Sequence, residues 1–466
     1  MRRAKITRPH RPRPHRLAVD RRWRPRHGRA AYRPQPLGLV APAPGRLRRQ
    51  YGLGHGPHLV LDLRRLAGQG PGAALWRRRP LPQDRAALFG HRPGPNRRRR
   101  ILAGRRRPYR HGGQPAASLL SSGQKRSKPV DLQTIQNAID ALPRHRFTHL
   151  PTPLQHCPRL SADLGGPRIW IKRDDLTGLA FGGNKSRYLE FTLAEATATG
   201  HDAAVLSAVV QSNHCRQFAA ACARIGLKGV VVLRENDSTM GRKDPAQGNY
   251  LLDQLCGVDI RFAPPEQIGA TVAAEKERLV QEGYKPFTGL SGMLSRVAYV
   301  QCALEIDAQC LSEGLEPSHL IIGSGGTSLS GLVAGLTMRG RTLNYTGTPQ
   351  SKMGDRTDAS ARVAQAATDA AAHIGLECAP DPAAIAVTDA YVGTGFGFPD
   401  PETLSALRLL ASSEGILVDP TYTGKAFTCL IDLVRKGRFG PDEDIVFVHT
   451  GGTPLLFAYG EELLVG

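Results

Sequence analysis

The sequence predicts an α/β fold of two lobes, each a parallel sheet covered by helices, with a site in the cleft between them. Three observations predict it. Short apolar runs alternate with stretches of helical spacing from about residue 169 onward. Small polar or glycine-rich turns stand directly behind several of those runs. The strong basicity of the chain, +23 overall, is confined to its first 128 residues.

That first segment holds 34 Lys+Arg against Asp20, Asp62 and Asp84, and it contains no glutamate. Arginine runs at 97–100 and 105–107 sit among prolines and glycines with no sustained period. Such a composition cannot bury enough apolar surface to offset its chain entropy, so residues 1–128 are expected to be a disordered extension. A transit peptide would be Arg-rich and acid-poor but amphipathic. A nucleic-acid tail fits the charge, yet no aromatic interleaving supports it, so nucleic acid is not an expected partner. The favoured reading is upstream GC-rich sequence translated from a mis-assigned start. Residues 129–466 carry 29 basic and 37 acidic side chains, the balance of an ordinary enzyme. No apolar run approaches the ~20 residues of a membrane span. All eight cysteines fall after residue 128 without a C-x-x-C pair. That argues for buried thiols in a reducing cytoplasm and against a metal site.

Strands are expected at 169–172, 203–206, 229–233, 319–322 and 444–448. Each is a short apolar run bounded by turn residues. Helical spacing covers 217–225, 270–282, 296–313 and 361–374, and strand–helix alternation of this kind favours parallel sheets. Segment 343–355 lacks the apolar run of a central strand and is left without an element.

Four turns carry the chemistry. Gly182-Gly183-Asn184-Lys185 leads into a helix. A lysine there feels the positive end of the dipole and prefers to be neutral, as a Schiff-base amine must be. The glycines are read as leaving room for a flat group against the backbone. Ser212 and Asn213 follow an apolar run and precede an alanine-rich helix. They are N-caps by type, and the same geometry suits a bound carboxylate. Gly323-Ser324-Gly325-Gly326-Thr327 stands between a strand and a helix, the arrangement that cradles a phosphate. Thr450, behind the strand at 444–448, falls where α/β sheets bind ligands.

With 150–154 (Leu-Pro-Thr-Pro-Leu), 171–175 (Ile-Lys-Arg-Asp-Asp) and 419–425 (Asp-Pro-Thr-Tyr-Thr-Gly-Lys), these segments resemble the D-cysteine desulfhydrase / 1-aminocyclopropane-1-carboxylate (ACC) deaminase family. The resemblance runs from about residue 143 to the end. It implies a pyridoxal-phosphate-dependent fold like the tryptophan synthase β-subunit, with a smaller lobe at about 186–300 and a larger one from 140–185 plus 301–466. It implies pyridoxal 5'-phosphate as cofactor and Lys185 as the Schiff-base lysine. Asn213 would contact the ring hydroxyl, Ser212 the substrate carboxylate, and Thr450 the ring nitrogen. Gly323, Ser324, Gly325, Gly326 and Thr327 would hold the phosphate. One departure is Gly395-Phe396, where ACC deaminases carry Glu-Tyr and desulfhydrases Gly-Tyr. Phe396 cannot exchange a proton, so Tyr422, with Tyr391 as the other candidate, is taken as a catalytic hydroxyl. The expected activity is β-elimination from a small amino acid by a cytoplasmic homodimer, with D-cysteine first. ACC deamination, L-cysteate sulfo-lyase activity and a catalytically impaired homologue are the alternatives.

Overall fold

The computed structural model describes residues 128–244, 246–354 and 358–464. The reading of the basic extension therefore lies, residue 128 apart, outside the described residues. The strands are β1 (Leu154–His156), β2 (Arg168–Lys172), β3 (Ala203–Val209), β4 (Lys228–Arg234), β5 (Asp259–Ala263), β6 (Pro286–Phe287), β7 (Pro317–Ile322), β8 (Asn344–Gly347), β9 (Ile385–Val387) and β10 (Asp444–Val448). They form two sheets.

The six-stranded sheet runs β1-β2-β10-β7-β8-β9, and the four-stranded sheet β5-β4-β3-β6. All pairings are parallel except β1 with β2. Strand β10 is buried along its whole length and Val230–Leu233 of β4 are 0% exposed. Strands covered on both faces read as unbroken apolar runs, which is why these were legible.

Strand β8 corrects the reading of 343–355. Its sequence, Asn-Tyr-Thr-Gly, has little strand character, yet it sits between β7 and β9 with His319 opposite Asn344 and Tyr345 opposite Ile385. Pairing on both sides and burial of Tyr345 and Thr346 to 4% exposure hold it there, so packing context outweighs propensity. The expected helices all appear, shifted by a few residues: Asn213–Ile225, Ile268–Gln281, Met293–Glu313 and Ala359–His373.

The Met293–Glu313 and Thr327–Met338 helices pack at unusually close range. A Cβ on Gly331 would lie 2.3 Å from the Arg296 carbonyl oxygen, and one on Gly335 would lie 2.4 Å from the Ala303 Cβ. Only glycine lets these backbones meet. The contact fixes Arg296 beside the first turns of the second helix. Among the described residues no helix is long and apolar enough to cross a membrane, and no cluster of three metal-ligating side chains occurs. The eight cysteines are free thiols, all buried except half-buried Cys256.

Candidate active site

Three turns that follow parallel strands converge on one cavity of about 540 Å³. They are Gln211–Asn213 after β3, Gly323–Gly326 after β7 and His449–Thr450 after β10. Carboxyl ends of parallel strands are where α/β sheets present their ligands. The cavity is lined by Lys185, Ser212, Asn213, Tyr422 and Thr450, and by every residue from Gly323 to Thr327. The site residues picked out in the four turns, and Tyr422, thus border the same space, while Tyr391 does not.

Lys185 is the second residue of the Asn184–Ala198 helix. No side chain caps that helix. Its first amides are held from outside instead, Asn184 N by the Thr450 carbonyl at 2.9 Å and Ser186 N by Gln217 Oε1 at 2.6 Å. The Gly182-Gly183 pair has a different cause from the one expected. Gly182 has φ +68° and a Cβ there would meet the Asp175 carbonyl at 2.2 Å. Gly183 has φ +119° and a Cβ there would meet Gln217 at 2.8 Å. The glycines let the chain wedge between its neighbours and so aim Lys185 at the cavity.

The Lys185 amine lies 4.4 Å from the centre of the Tyr188 ring. Burial pushes its pKa down from 10.5 to about 8. No carboxylate lines the cavity among the described residues, so nothing opposes that shift. At neutral pH roughly a tenth of the amine is therefore unprotonated and nucleophilic, far more than for an ordinary lysine.

Ser212 caps the Asn213–Ile225 helix, its Oγ accepting from the amides of His214 at 3.1 Å and Cys215 at 3.3 Å. Two accepted bonds leave the hydroxyl hydrogen to donate. Asn213 Oδ1 accepts from Asn249 Nδ2 at 3.0 Å and Arg216 Nη1 at 3.2 Å, which orients the amide. At the opposite wall, the helix that begins at Thr327 has Gly326 as its N-cap and no side-chain cap bond. A Cβ on Gly326 would meet nothing within 4 Å. That uncapped end opens into free space, a ready anion site.

Tyr422 borders the cavity because Asp419 grips its turn. Asp419 Oδ1 accepts from the amides of Thr421 at 2.8 Å and Tyr422 at 2.7 Å, and Oδ2 accepts from Thr423 Oγ1 at 2.6 Å. Burial, with the nearby Asp419 and Tyr459, raises the Tyr422 phenol well above its ordinary value. Phe396 stands one layer back. Its ring meets Tyr422 edge-on at 5.9 Å and is not part of the cavity lining. Tyr391 is elsewhere, its hydroxyl donating to Asp432.

Among the lining residues that sequence reasoning passed over are Tyr188, His214 and Arg296. Tyr188 carries the ring beneath the Lys185 amine and bonds Ser328 through its hydroxyl. His214 has a buried Nε2 with no partner and is pushed down to about 3, first by burial and then by Lys185. Arg296 enters from a helix far along the chain. His214 lay inside a motif already marked by Ser212 and Asn213; nothing local signals Tyr188 or Arg296.

Behind Lys185 lies a buried ion network. Arg187 donates to Asp174 Oδ2 at 2.9 Å and Oδ1 at 2.8 Å, and to Glu305 Oε1 at 2.7 Å. Lys172 reaches Glu305 Oε2 at 2.8 Å, while Thr152 and Tyr299 add bonds to Asp174. Burial pushes the Asp174 and Glu305 carboxyls up, but Arg187 and Lys172 outweigh it and leave both below their ordinary values.

A model of the family described as "Pyridoxal-phosphate dependent enzyme" matches residues 146–451. The D-cysteine desulfhydrase of Klebsiella pneumoniae (strain 342) is 38% identical over 341 residues, covering 71% of this chain and 100% of the relative. That of Salmonella choleraesuis (strain SC-B67) is 38% identical over 325 residues, 68% of this chain and 96% of the relative. A solved structure described as an ACC deaminase homologue is similar with a TM-score of 0.62 at 32% identity, covering 71% of this chain and 98% of its own.

Proposed function

The chain belongs to the family of pyridoxal-phosphate-dependent enzymes, and on that premise we propose that it is a lyase that removes a β-substituent from a small amino acid. D-cysteine is the first candidate, consumed with one water to give pyruvate, hydrogen sulfide and ammonia. The observation that carries the reading is the Lys185 amine, depressed to about 8 and facing a cavity with no carboxylate among its described lining residues.

The residues present fit the cofactor. The uncapped helix end behind Gly323–Gly326 suits its phosphate, and the Lys185 amine suits its aldehyde. Asn213 and Thr450 would flank its ring. When bound, it supplies an electron sink for the bonds at Cα of the joined amino acid. Ser212, with its hydroxyl hydrogen free, would donate to the substrate carboxylate and hold it at the start of the Asn213–Ile225 helix. Lys185 Nζ, once released, would take the Cα proton. Tyr422, kept protonated by burial, would give its proton to the departing sulfur. A hydroxyl at Thr450 rather than a carboxylate would leave the ring nitrogen unprotonated and favour elimination over transamination.

The four-stranded sheet would form the smaller lobe, about 186–300, and the six-stranded sheet the larger, 140–185 plus 301–466. A cytoplasmic homodimer is the assembly this reading carries with it. ACC deamination is the second reading, favoured by likeness to the solved ACC deaminase homologue and weakened by Gly395, which offers no acidic side chain.

The test is keto-acid release by the full chain, beside Lys185→Ala. Pyruvate from D-cysteine that vanishes in the variant supports the reading. 2-Oxobutyrate from ACC supports the second reading, and pyruvate from L-cysteate alone moves the leaving group to sulfite. No keto acid from any of them, with cofactor bound, would overturn the lyase assignment.

A further inference from the structure

We infer that Arg296 is the counter-charge for the cofactor's phosphate, an assignment that rests on the cofactor reading above. A phosphate monoester carries about −1.5 to −2 at neutral pH. A helix end offers only about half a positive charge. The glycine turn and the first turn of the Thr327–Met338 helix therefore leave roughly one negative charge unmatched. In a half-enclosed cavity that charge needs a partner.

Arg296 is rooted where such a partner must be. Its backbone carbonyl is pressed against Gly331, one turn into the helix whose N-terminus faces the cavity. Arg296 lines that cavity together with Gly326, Thr327 and Ser330. It is half-buried, and among the described residues no carboxylate and no hydrogen-bond acceptor holds its guanidinium. This sets it apart. Arg144, Arg173, Arg261, Arg278, Arg339 and Arg341, the other half-buried arginines among the described residues, are each ion-paired to a carboxylate. A guanidinium withdrawn from water without an anion is unfavourable, so the missing anion is the one the site receives. The two other cations on this wall, Lys352 and Arg362, are exposed, and Arg362 already pairs with Asp358 at 3.1 Å. Water screens both, and they are assigned no direct contact.

The experiment compares two ligands that differ only in the phosphate. Cofactor-free full-length protein, wild type and Arg296→Gln, is titrated with pyridoxal 5'-phosphate and with pyridoxal, reading the visible absorbance of the bound ligand. Loss of a charge-assisted bond predicts a fall in pyridoxal 5'-phosphate affinity on the order of ten- to a hundredfold. Pyridoxal affinity should stay unchanged. Arg296→Lys should recover part of the loss and make binding more sensitive to salt. Equal weakening of both ligands would mean a packing role and would overturn the assignment. Undiminished binding of both would overturn it as well, and would leave Arg296 for an anionic group on the substrate. A wild-type protein that takes up neither ligand would instead sink the cofactor reading, and this assignment with it.

Discussion

Lys185 and Arg187 are two residues apart on the first turn of one helix, and the chain treats them in opposite ways. Arg187 is 1% exposed and saturated, with Asp174 and Glu305 both on its guanidinium. Lys185 meets an aromatic ring and open space, with no acidic neighbour in its cavity. The same helix start thus fixes one cation permanently and keeps the other available. Ion pairing holds Arg187 charged, against its burial. Burial without pairing draws Lys185 toward neutrality. The site's reactivity is made by withholding partners, while its position is made by supplying them next door.

Removing Lys185 should have the largest effect. Lys185→Ala should lower keto-acid release by about three orders of magnitude or more, since it removes both the amine that bonds the cofactor and the base at Cα. Its thermal midpoint without cofactor should not fall. A variant that unfolds would show that Lys185 shares the structural duty assigned to Arg187.

Arg187→Ala should do the reverse. It strands two buried carboxylates and should cost about 3–5 kcal/mol in a denaturant titration. Lys172 still neutralises one face of Glu305, so Asp174 carries most of the loss. A cost below about 1 kcal/mol would mean that water replaces the guanidinium and that the network is no lock.

The pH dependence of stability sharpens the contrast. For a base with its folded pKa lowered, the folded chain bears a buried charge below about pH 8 and sheds it as pH rises toward the unfolded value of 10.5. The unfolded chain binds more protons across that window, so stability rises with pH there. Lys185→Met should therefore stabilise the cofactor-free protein at pH 7, and the gain should fade between about pH 8 and 10.5. A gain that is flat with pH would place the lysine's charge in solvent.

How much of this was legible depends on where the cause lies. Strands β4 and β10 announced themselves because they are buried on both faces. Lys185, Ser212 and the glycine turn announced themselves because helix starts have local signatures. Strand β8 did not, since two neighbouring strands hold it rather than its own residues. The expected reason for Gly182 and Gly183 was misplaced, because the carbonyl of Asp175 and the side chain of Gln217 constrain them from a distance in sequence or around a turn. The role of Arg187, two residues past the Gly182–Lys185 turn, was not visible, because Glu305 lies 118 residues away. Partners fixed by packing leave no mark near the residue they serve.

A smaller effect separates two duties at Ser212, which belongs to the partner-supplied side as a cap and to the partner-free side as a donor. Ser212→Asp keeps a good N-cap, so stability should hold within about 0.5 kcal/mol. It also sets a negative charge where the substrate carboxylate is proposed to bind, and KM should rise about tenfold or more while cofactor absorbance is retained. An unchanged KM would leave Ser212 as a cap alone.

The smallest expected change is at Phe396. Its ring packs edge-on against Tyr422, belongs with Met240 and Tyr459 to one packed cluster and is not part of the cavity lining, so a hydroxyl added by Phe396→Tyr is expected to stay outside the reacting space. Activity on D-cysteine should move by no more than a few-fold, because one added oxygen at a half-buried site alters packing more than proton transfer. Tyr422→Phe in the same assay should cost far more, since Tyr422 borders the cavity and its hydroxyl makes no hydrogen bond among the described residues. If Phe396→Tyr instead raised activity tenfold or more and made Tyr422→Phe tolerable, the working hydroxyl would belong at 396. Tyr422 would then be one of the positioning groups, on the Arg187 side of the comparison rather than beside Lys185.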